Sequence, residues 1–398
     1  MLFSKEDVFD YVNQEDVSFI RLSFCDITGR QKNISILPSE LERAFSEGIS
    51  FDASAIAGFG NEVRSDLLLF PNPCTLNVLP WRPSHGKVVK MFCDIKHPDG
   101  TPFEKDSRVI LRRAVEKAEQ SGISVQIGSE FEFYLFKTDE EGAPTKIPFD
   151  NAGYMDIAPD DKGENVRREI CLTLLEMDIQ PETSHHEEGP GQNEIDFRYS
   201  DPMTAADNAM NFITVVKTTA QRNGLYADFS PKPLEGESGN GLHINISVKS
   251  IDGTDHTYSF MAGIMEHIRE MTAFLNPTED SYKRLGERKA PKYVSWSPEN
   301  RSQLIRIPAA VGEHRRIELR SPDPSANPYL AYALIIYAGL DGIENNMTPP
   351  EKIDLNLYSA DKSITDKLPS LPETLEQALE TAKNSQFINS VLHDFIAE

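Results

Sequence analysis

The chain has 398 residues, with 40 Lys plus Arg against 63 Asp plus Glu and a formal charge of −23. That excess of acid argues against nucleic acid or an anionic membrane as the main partner, because both repel it. The length suits one large or two to three ordinary domains. Four cysteines, Cys25, Cys74, Cys93 and Cys171, stand without Cys-x-x-Cys spacing, as expected of reduced thiols in a cytoplasmic protein. No basic region followed by an apolar run opens the chain, and no apolar stretch reaches spanning length, so neither a secretory signal nor a membrane helix is expected.

Residues 4–14 read as a short helix, and 17–24 alternate as a strand. Strand candidates continue at 67–70, 75–79 and 88–94, so the first part of the chain is a small mixed β unit. His97-Pro98-Asp99-Gly100-Thr101-Pro102 is turn chemistry and precedes a periodic helix over 108–121, which sets the boundary between units 1–100 and 101–398. Beyond it, segments 128–134, 192–198, 241–247 and 315–320 read as strands with one apolar and one charged face. Helical stretches over 165–177, 204–223 and 259–275 separate them. Tyr329–Leu340, apolar throughout, predicts a buried helix, and helices are expected again from about Leu371. Antiparallel strands with helices outside predict an α+β fold in which an open, funnel-like sheet carries the chemistry.

Side chains alternate across a strand, so Glu130 with Glu132, Glu194 with Asp196, His243 with Asn245, and the trio Arg316, Glu318, Arg320 each project to one side. Glu187 lies just upstream of the second strand. Two carboxylates about 4 Å apart repel by roughly 4 kcal/mol at an effective dielectric near 20. A divalent cation removes that conflict, and oxygen donors with one imidazole suit Mg²⁺ or Mn²⁺ better than zinc. The arginines around Glu318 suit phosphate. Each feature alone has a plainer reading: paired glutamates are usually a solvated face, a lone histidine is usually hydrogen-bonded structure, and surface arginines usually pair with acids. The Gly-rich stretch 236–241 leading to His243 has no Walker sequence.

Five blocks in order sharpen the reading: Gly128-Ser129-Glu130-Phe131-Glu132-Phe133; His185-His186-Glu187 leading to Pro190-Gly191-Gln192-Asn193-Glu194; Gly239-Asn240-Gly241-Leu242-His243; Asn300-Arg301-Ser302 with Ile305-Arg306-Ile307-Pro308; and Arg315 to Arg320 running on to Asp323-Pro324-Ser325-Ala326-Asn327-Pro328-Tyr329. Together they resemble glutamine synthetase over residues 15–395. The resemblance implies a β-grasp-like first domain and a ligase that uses ATP, glutamate and ammonium. It places one Mg²⁺ or Mn²⁺ on Glu132, Glu187 and Glu194 and a second on Glu130, His243 and Glu318. It turns Arg301, Arg306 and Arg316 toward phosphate, with Tyr199 also at the nucleotide. Arg284, Arg320, Ser238 and Gly239 fall at the glutamate, and Tyr154 and Asp52 near the ammonium pocket. In the family the residue matching Asp52 serves the neighbouring subunit, so a homo-oligomer, a ring-shaped hexamer or stacked hexamers, is implied.

The chain also departs from the pattern. Where the family flap reads Arg-Leu-Val-Pro-Gly-Tyr-Glu-Ala-Pro, this chain reads Arg284-Leu285-Gly286-Glu287-Arg288-Lys289-Ala290-Pro291, one residue shorter, with Lys289 before Ala-Pro. A lysine cannot replace a carboxylate in holding ammonium, and Glu287 can do so only if the loop takes another path, so a larger amine is the alternative acceptor. Ser238 stands where the family has Asn, and Ala55 where it often has Ser. The chain stops before the family's usual tail, which implies weaker or different ring stacking. An inactive structural homologue is the remaining alternative, disfavoured because all six metal-matching positions are intact. Of the pair beside Glu187, His185 is expected to order the neighbouring loop, and modification at Tyr358 is not expected.

Overall fold

A capping box, with Ser4 Oγ accepting from the Asp7 amide (3.1 Å) and the Asp7 carboxylate from the Ser4 amide (2.8 Å), starts the first helix. The computed structural model describes residues 3–60, 63, 65–82, 86–309 and 316–396. In its N-terminal unit, α1 (Lys5–Gln14) is followed by β1 (Val17–Cys25), β2 (Gln31–Ile36), α2 (Leu41–Ser46), β3 (Ile49–Asp52), β4 (Asp66–Pro71), β5 (Asn77–Val78) and β6 (Lys87–Lys96). The sheet order is β2-β1-β6-β4-β3, with β5 also on β6 and a parallel β1–β6 pair at its centre. Val8, Val12, Ile20, Leu22, Leu41, Leu69 and Met91 fill the core of this unit.

The larger unit begins with α3 (Ser107–Gln120) and the long β7 (Ile123–Thr138). Then come β8 (Pro144–Pro148), α4 (Glu164–Glu176), β9 (Pro181–His186), β10 (Gln192–Phe197), α5 (Pro202–Arg222), β11 (Leu225–Asp228) and β12 (Leu242–Ser250). The chain continues through α6 (Thr257–Leu275), α7 (Glu279–Arg284), β13 (Trp296–Pro298), β14 (Ile305–Ile307), β15 (Ile317–Leu319) and α8 (Pro328–Glu344). The short α9 (Lys362–Thr365), α10 (Leu375–Asn384) and α11 (Gln386–Ile396) close it. The sheet runs β13-β14-β15-β12-β7-β10-β9, with β8 and β11 also on β7. Its apolar face, including Phe131, Phe133, Ile195, Ile244 and Leu319, joins α5 and α8, apolar through Leu340, in one core. The opposite face carries the polar side chains.

Three expectations change. The strand expected over 75–79 shrinks to Asn77–Val78, because Asn72 Oδ1 accepts from the Cys74 amide (3.0 Å) and Pro73 starts a 3₁₀ turn over Pro73–Thr75. The β13–β14 pair is parallel, not antiparallel. Arg315, expected to begin a strand, lies outside the described residues, and the strand found is Ile317–Leu319. Among the described residues no helix is long and apolar enough to cross a membrane.

A buried charge network joins the two units. Arg108, at the start of α3, donates to both oxygens of Asp207 (3.1 and 2.8 Å) and to Asp94 of β6 (2.9 Å). Tyr329 adds a hydrogen bond to Asp207 (2.6 Å), and Lys90 of β6 donates to Asn211 of α5 while lying 4.2 Å from the Phe92 ring centre. Burial lowers the Lys90 pKa to about 7. Breaking a buried pair strands the other charge, so Arg108→Ala should cost about 3 to 5 kcal/mol. Urea unfolding reads this as a lower midpoint at similar slope; a loss below about 1 kcal/mol would remove the network from the joint.

Candidate active site

Strand register assembles the polar face. Across β7 and β10, Glu132 stands opposite Glu194 and Glu130 opposite Asp196; across β7 and β12, Glu130 stands opposite His243. Asn245 and Arg306 both pair with Glu318 of β15. Ligand atoms of Glu130, His243 and Glu318 therefore lie within 4.8 Å of one another, the trio that the resemblance assigned to one cation. The other expected trio is split: Glu194 groups with Glu132 and His243 on one side and with His185 and Glu187 on the other. A further group, Glu130, Glu194 and Asp196, overlaps both.

Crowding decides which carboxylates hold protons. Burial and the charge of Glu132 push Glu187 up to about 7, burial and the charges of Glu132 and Asp196 raise Glu194 well above its usual range, and burial with the Glu130 charge raises Asp196 to about 8. Glu130 goes the other way: burial opposes ionisation, yet His243, Asn245 and Arg320 outweigh it and hold the pKa at about 2. Glu318, 1% exposed, is likewise held below its usual value despite burial, chiefly by Arg320. Asp196 Oδ1 is buried with no hydrogen-bond partner among the described residues, while its other oxygen accepts from Thr183. Crowded carboxylates, an orphaned oxygen and the imidazoles of His243 and His185 form a donor set, mostly oxygen, that fits hard divalent cations.

Opposite the acids stands a wall of guanidinium groups in the same cavity of about 530 Å³. Arg306 (2.6 Å) and Arg320 both donate to Glu318, while Nε of each is buried without a partner among the described residues. Arg316 donates to Asn245 (2.8 Å), which in turn donates to Glu130 (2.7 Å). Arg301 lines the cavity, its carbonyl accepting from Tyr358 (3.2 Å). Arg284 also lines it, but is buried, and its guanidinium donates to the carbonyls of Ser321 (2.8 Å) and Arg320 (3.3 Å). Ser238 accepts at its carbonyl from Tyr134 (2.6 Å), and its buried Oγ has no partner among the described residues. Gly239 and Gly241 approach too closely for a side chain: a Cβ would sit 2.5 Å from the Pro231 carbonyl at the first and 2.7 Å from His243 Nε2 at the second. The Gly241 amide donates to Glu132 (2.7 Å).

Two expected residues lie apart. Tyr199 lines an adjoining cleft of about 180 Å³ that shares Glu130, Asp196 and Arg316 with the main cavity. Asp52 ends β3 in the N-terminal unit, is exposed, and lines neither cavity; Ser54, not position 55, donates amide and hydroxyl to it (2.9 and 2.6 Å). Tyr154 lines the main cavity, its ring edge-on to His185 at 5.5 Å.

The histidine pair corrects the sequence reading. His185 faces the acids, with Nε2 3.4 Å from Glu194. His186 is the loop-ordering member: fully buried, it meets Asp150 through Nε2 (2.9 Å) and the Glu187 carbonyl through Nδ1 (2.6 Å). Alternation along β9 carried this signal, because neighbours on a strand face opposite ways. Glu287 does not reach the cavity: its side chain is 63% exposed and accepts from Lys232 (3.2 Å). Sequence reasoning missed Gln192, which donates to Gly239 (3.1 Å) and Asn240 (3.3 Å), and Glu188, which pairs with Lys289 (2.7 Å).

Comparison with known proteins gives the family. The model of the glutamine synthetase beta-Grasp domain matches residues 16–98, and that of the glutamine synthetase catalytic domain matches residues 104–398. Glutamine synthetase of Clostridium saccharobutylicum is 44% identical over 99% of this chain and 92% of its own length. That of Methanosarcina mazei is also 44% identical, over 99% and 91%. A solved GmaS/ADP complex superposes with a TM-score of 0.88 at 30% identity, covering 98% of this chain and 93% of the other. A cryo-EM structure of Plasmodium falciparum glutamine synthetase shares the fold, with a TM-score of 0.86 at 24% identity over 99% and 94%. Matched by both domain models in order and by such relatives over nearly its whole length, the chain belongs to the glutamine synthetase family.

Proposed function

We propose that this protein is an ATP-dependent glutamate–ammonia ligase, working through a γ-glutamyl phosphate. The observation that carries the reading is one cavity with an acidic half around Glu130, Glu132, Glu187 and Glu194 and a guanidinium half around Arg301, Arg306, Arg316 and Arg320. Relatives named glutamine synthetase support it, and a GmaS structure holding ADP supports the use of a nucleotide.

Glu130, His243 and Glu318 would hold one Mg²⁺ or Mn²⁺, and Glu132, Glu187 and Glu194 a second. Bound there, such ions neutralise phosphate charge and polarise the transferring group. A carboxylate is a poor electrophile, so the γ-carboxylate of glutamate first attacks the γ-phosphorus of ATP, releasing ADP and leaving an acyl phosphate. Arg301, Arg306 and Arg316 face that group and offset its charge, and the unpartnered Nε of Arg306 offers a donor. Arg284, Arg320, Ser238 and Gly239 bound the glutamate end, where Arg320 Nε and Ser238 Oγ lack partners among the described residues. Tyr199 and the adjoining cleft take the nucleotide.

Ammonium must lose a proton before its nitrogen attacks the acyl carbon and expels phosphate. The carboxylates lining the cavity beside Tyr154 supply the anionic surroundings that accept it. Asp52, exposed and remote from both cavities of its own chain, would complete the ammonium pocket of a neighbouring subunit, so we infer a homo-oligomeric ring with sites between subunits. Four unbridged thiols fit a cytoplasmic setting.

Two measurements test this reading. Phosphate release from ATP should require both glutamate and ammonium, and Glu318→Ala should lower kcat by roughly 100-fold or more; near-normal turnover would remove Glu318 from the site. The second is linkage. With Glu187 raised from 4.5 to about 7, the folded chain keeps a proton that the unfolded chain has lost, so this group's contribution to stability falls as pH rises through that window. Cation binding needs the ionised carboxylate, so the melting shift caused by Mn²⁺ should be larger at about pH 7.5 than at about pH 5.5. An equal or reversed shift would count against these acids as ligands.

A further inference from the structure

Three consecutive charges at the rim of the cavity are each tied to a different residue across the mouth. Glu287 pairs with Lys232 (3.2 Å), Arg288 with Glu237 (3.5 Å) and Lys289 with Glu188 (2.7 Å). Arg288 and Lys289 hold φ of +31° and +65°, left-handed backbone that residues with a Cβ avoid unless their surroundings impose it. Here the Lys289 carbonyl accepts from Arg320 Nη2 (3.5 Å), which fixes the turn from inside the cavity.

That turn delivers the Lys289 ammonium to a defined niche. Its Nζ lies 2.7 Å from Glu188 Oε1 and 5.1 Å from the centre of the Tyr154 ring. The ring in turn stands beside His185, whose Nε2 is 3.4 Å from Glu194. A carboxylate next to an aromatic face, at the edge of the acidic half, has the two features that recognise a primary alkylammonium: an acceptor for the NH₃⁺ group and a π face for the charge and the attached carbons. The lysine side chain is itself a primary alkylammonium and already sits there.

Resting on the ligase reading above, we propose that Lys289 sets acceptor specificity: its own alkylammonium group fills the Glu188–Tyr154 niche that a primary alkylamine would need, and so restricts the acceptor to ammonium. Ammonium has no carbons to place on the ring and is held by carboxylates alone, so it loses nothing to the occupied niche. An alkylammonium must displace a cation tethered within the chain. Discrimination comes from denying the competitor its contacts rather than from improving those of ammonium. The shortened flap thus serves as an amine filter.

The experiment uses the full chain with ATP, glutamate and Mg²⁺, offering ammonium, methylammonium or ethylammonium and identifying the amide by mass. The variants are Lys289→Ala, Lys289→Arg and Lys289→Ala combined with Glu188→Gln. Lys289→Ala should raise the ratio of kcat/KM for methylammonium over ammonium by about tenfold, mainly through KM, the scale of a one-carbon discrimination. Lys289→Arg, which keeps a cation on the ring, should hold the original ratio, and Glu188→Gln should cancel the gain. An unchanged ratio in Lys289→Ala, an equal rise in Lys289→Arg, or an original protein that already accepts methylammonium as well as ammonium would overturn the filter alone. A protein forming no amide from any of the three amines would overturn the ligase reading, and the filter with it.

Discussion

Across the β7–β10 pair, Glu132 stands opposite Glu194 and Glu130 opposite Asp196, like charges placed where cross-strand neighbours ordinarily attract. What holds them there lies on the other face of the same strands. Phe131, Phe133, Ile195 and Phe197 are buried against Phe212 and Phe229, with ring centres 5.1 to 6.4 Å apart. Each such side chain contributes roughly 1.5 to 3 kcal/mol by burial. The four together exceed one carboxylate repulsion of roughly 4 kcal/mol. A slip of one residue would turn every aromatic outward and every glutamate into the core, so the register does not relax.

The resulting electrostatic stress is divided unequally. Glu130 and Glu318 stay ionised because His243, Asn245, Arg306 and Arg320 reach them. Glu187, Glu194 and Asp196 are instead pushed toward holding their protons by burial and their acidic neighbours. One sheet face thus carries a charge-compensated half and a half that asks for cations. The proposed phosphate grip and the proposed divalent-ion sites, one of them on Glu130, His243 and Glu318 of the compensated half, follow from the same register. Loops rather than strands shape the rim, where Gly239 and Gly241 bring backbone close to His243 and Arg284 and where the flap meets Glu188 and Tyr154.

Legibility followed period and length. The strands bearing Glu130, Glu194 and His243, and the long helices, were readable because an apolar period survives over many residues. Strands β9, β13 and β14 were not: β9 is polar, Pro-Glu-Thr-Ser-His-His, and the other two have three residues each. Resemblance proposed roles for the six metal-matching positions and the arginines that pattern alone could not. It did not carry the role of His185, expected to order the loop but found beside Glu194, with His186 on Asp150 instead.

By itself, the sequence determined which residues share a strand face, that the polar face is acidic and carries the His243 imidazole, and where the family pattern breaks at Lys289. Alternation is a local property of the backbone, so these conclusions need no knowledge of neighbours. Only the tertiary structure decided that Glu194 bridges two acid groups, that Arg306 and Arg320 converge on Glu318, and that Lys289 rests between Glu188 and Tyr154. Each of these depends on register or loop path between segments distant in sequence. Those are fixed by burial of the opposite face and by backbone geometry, neither of which is written in the spacing of any one segment.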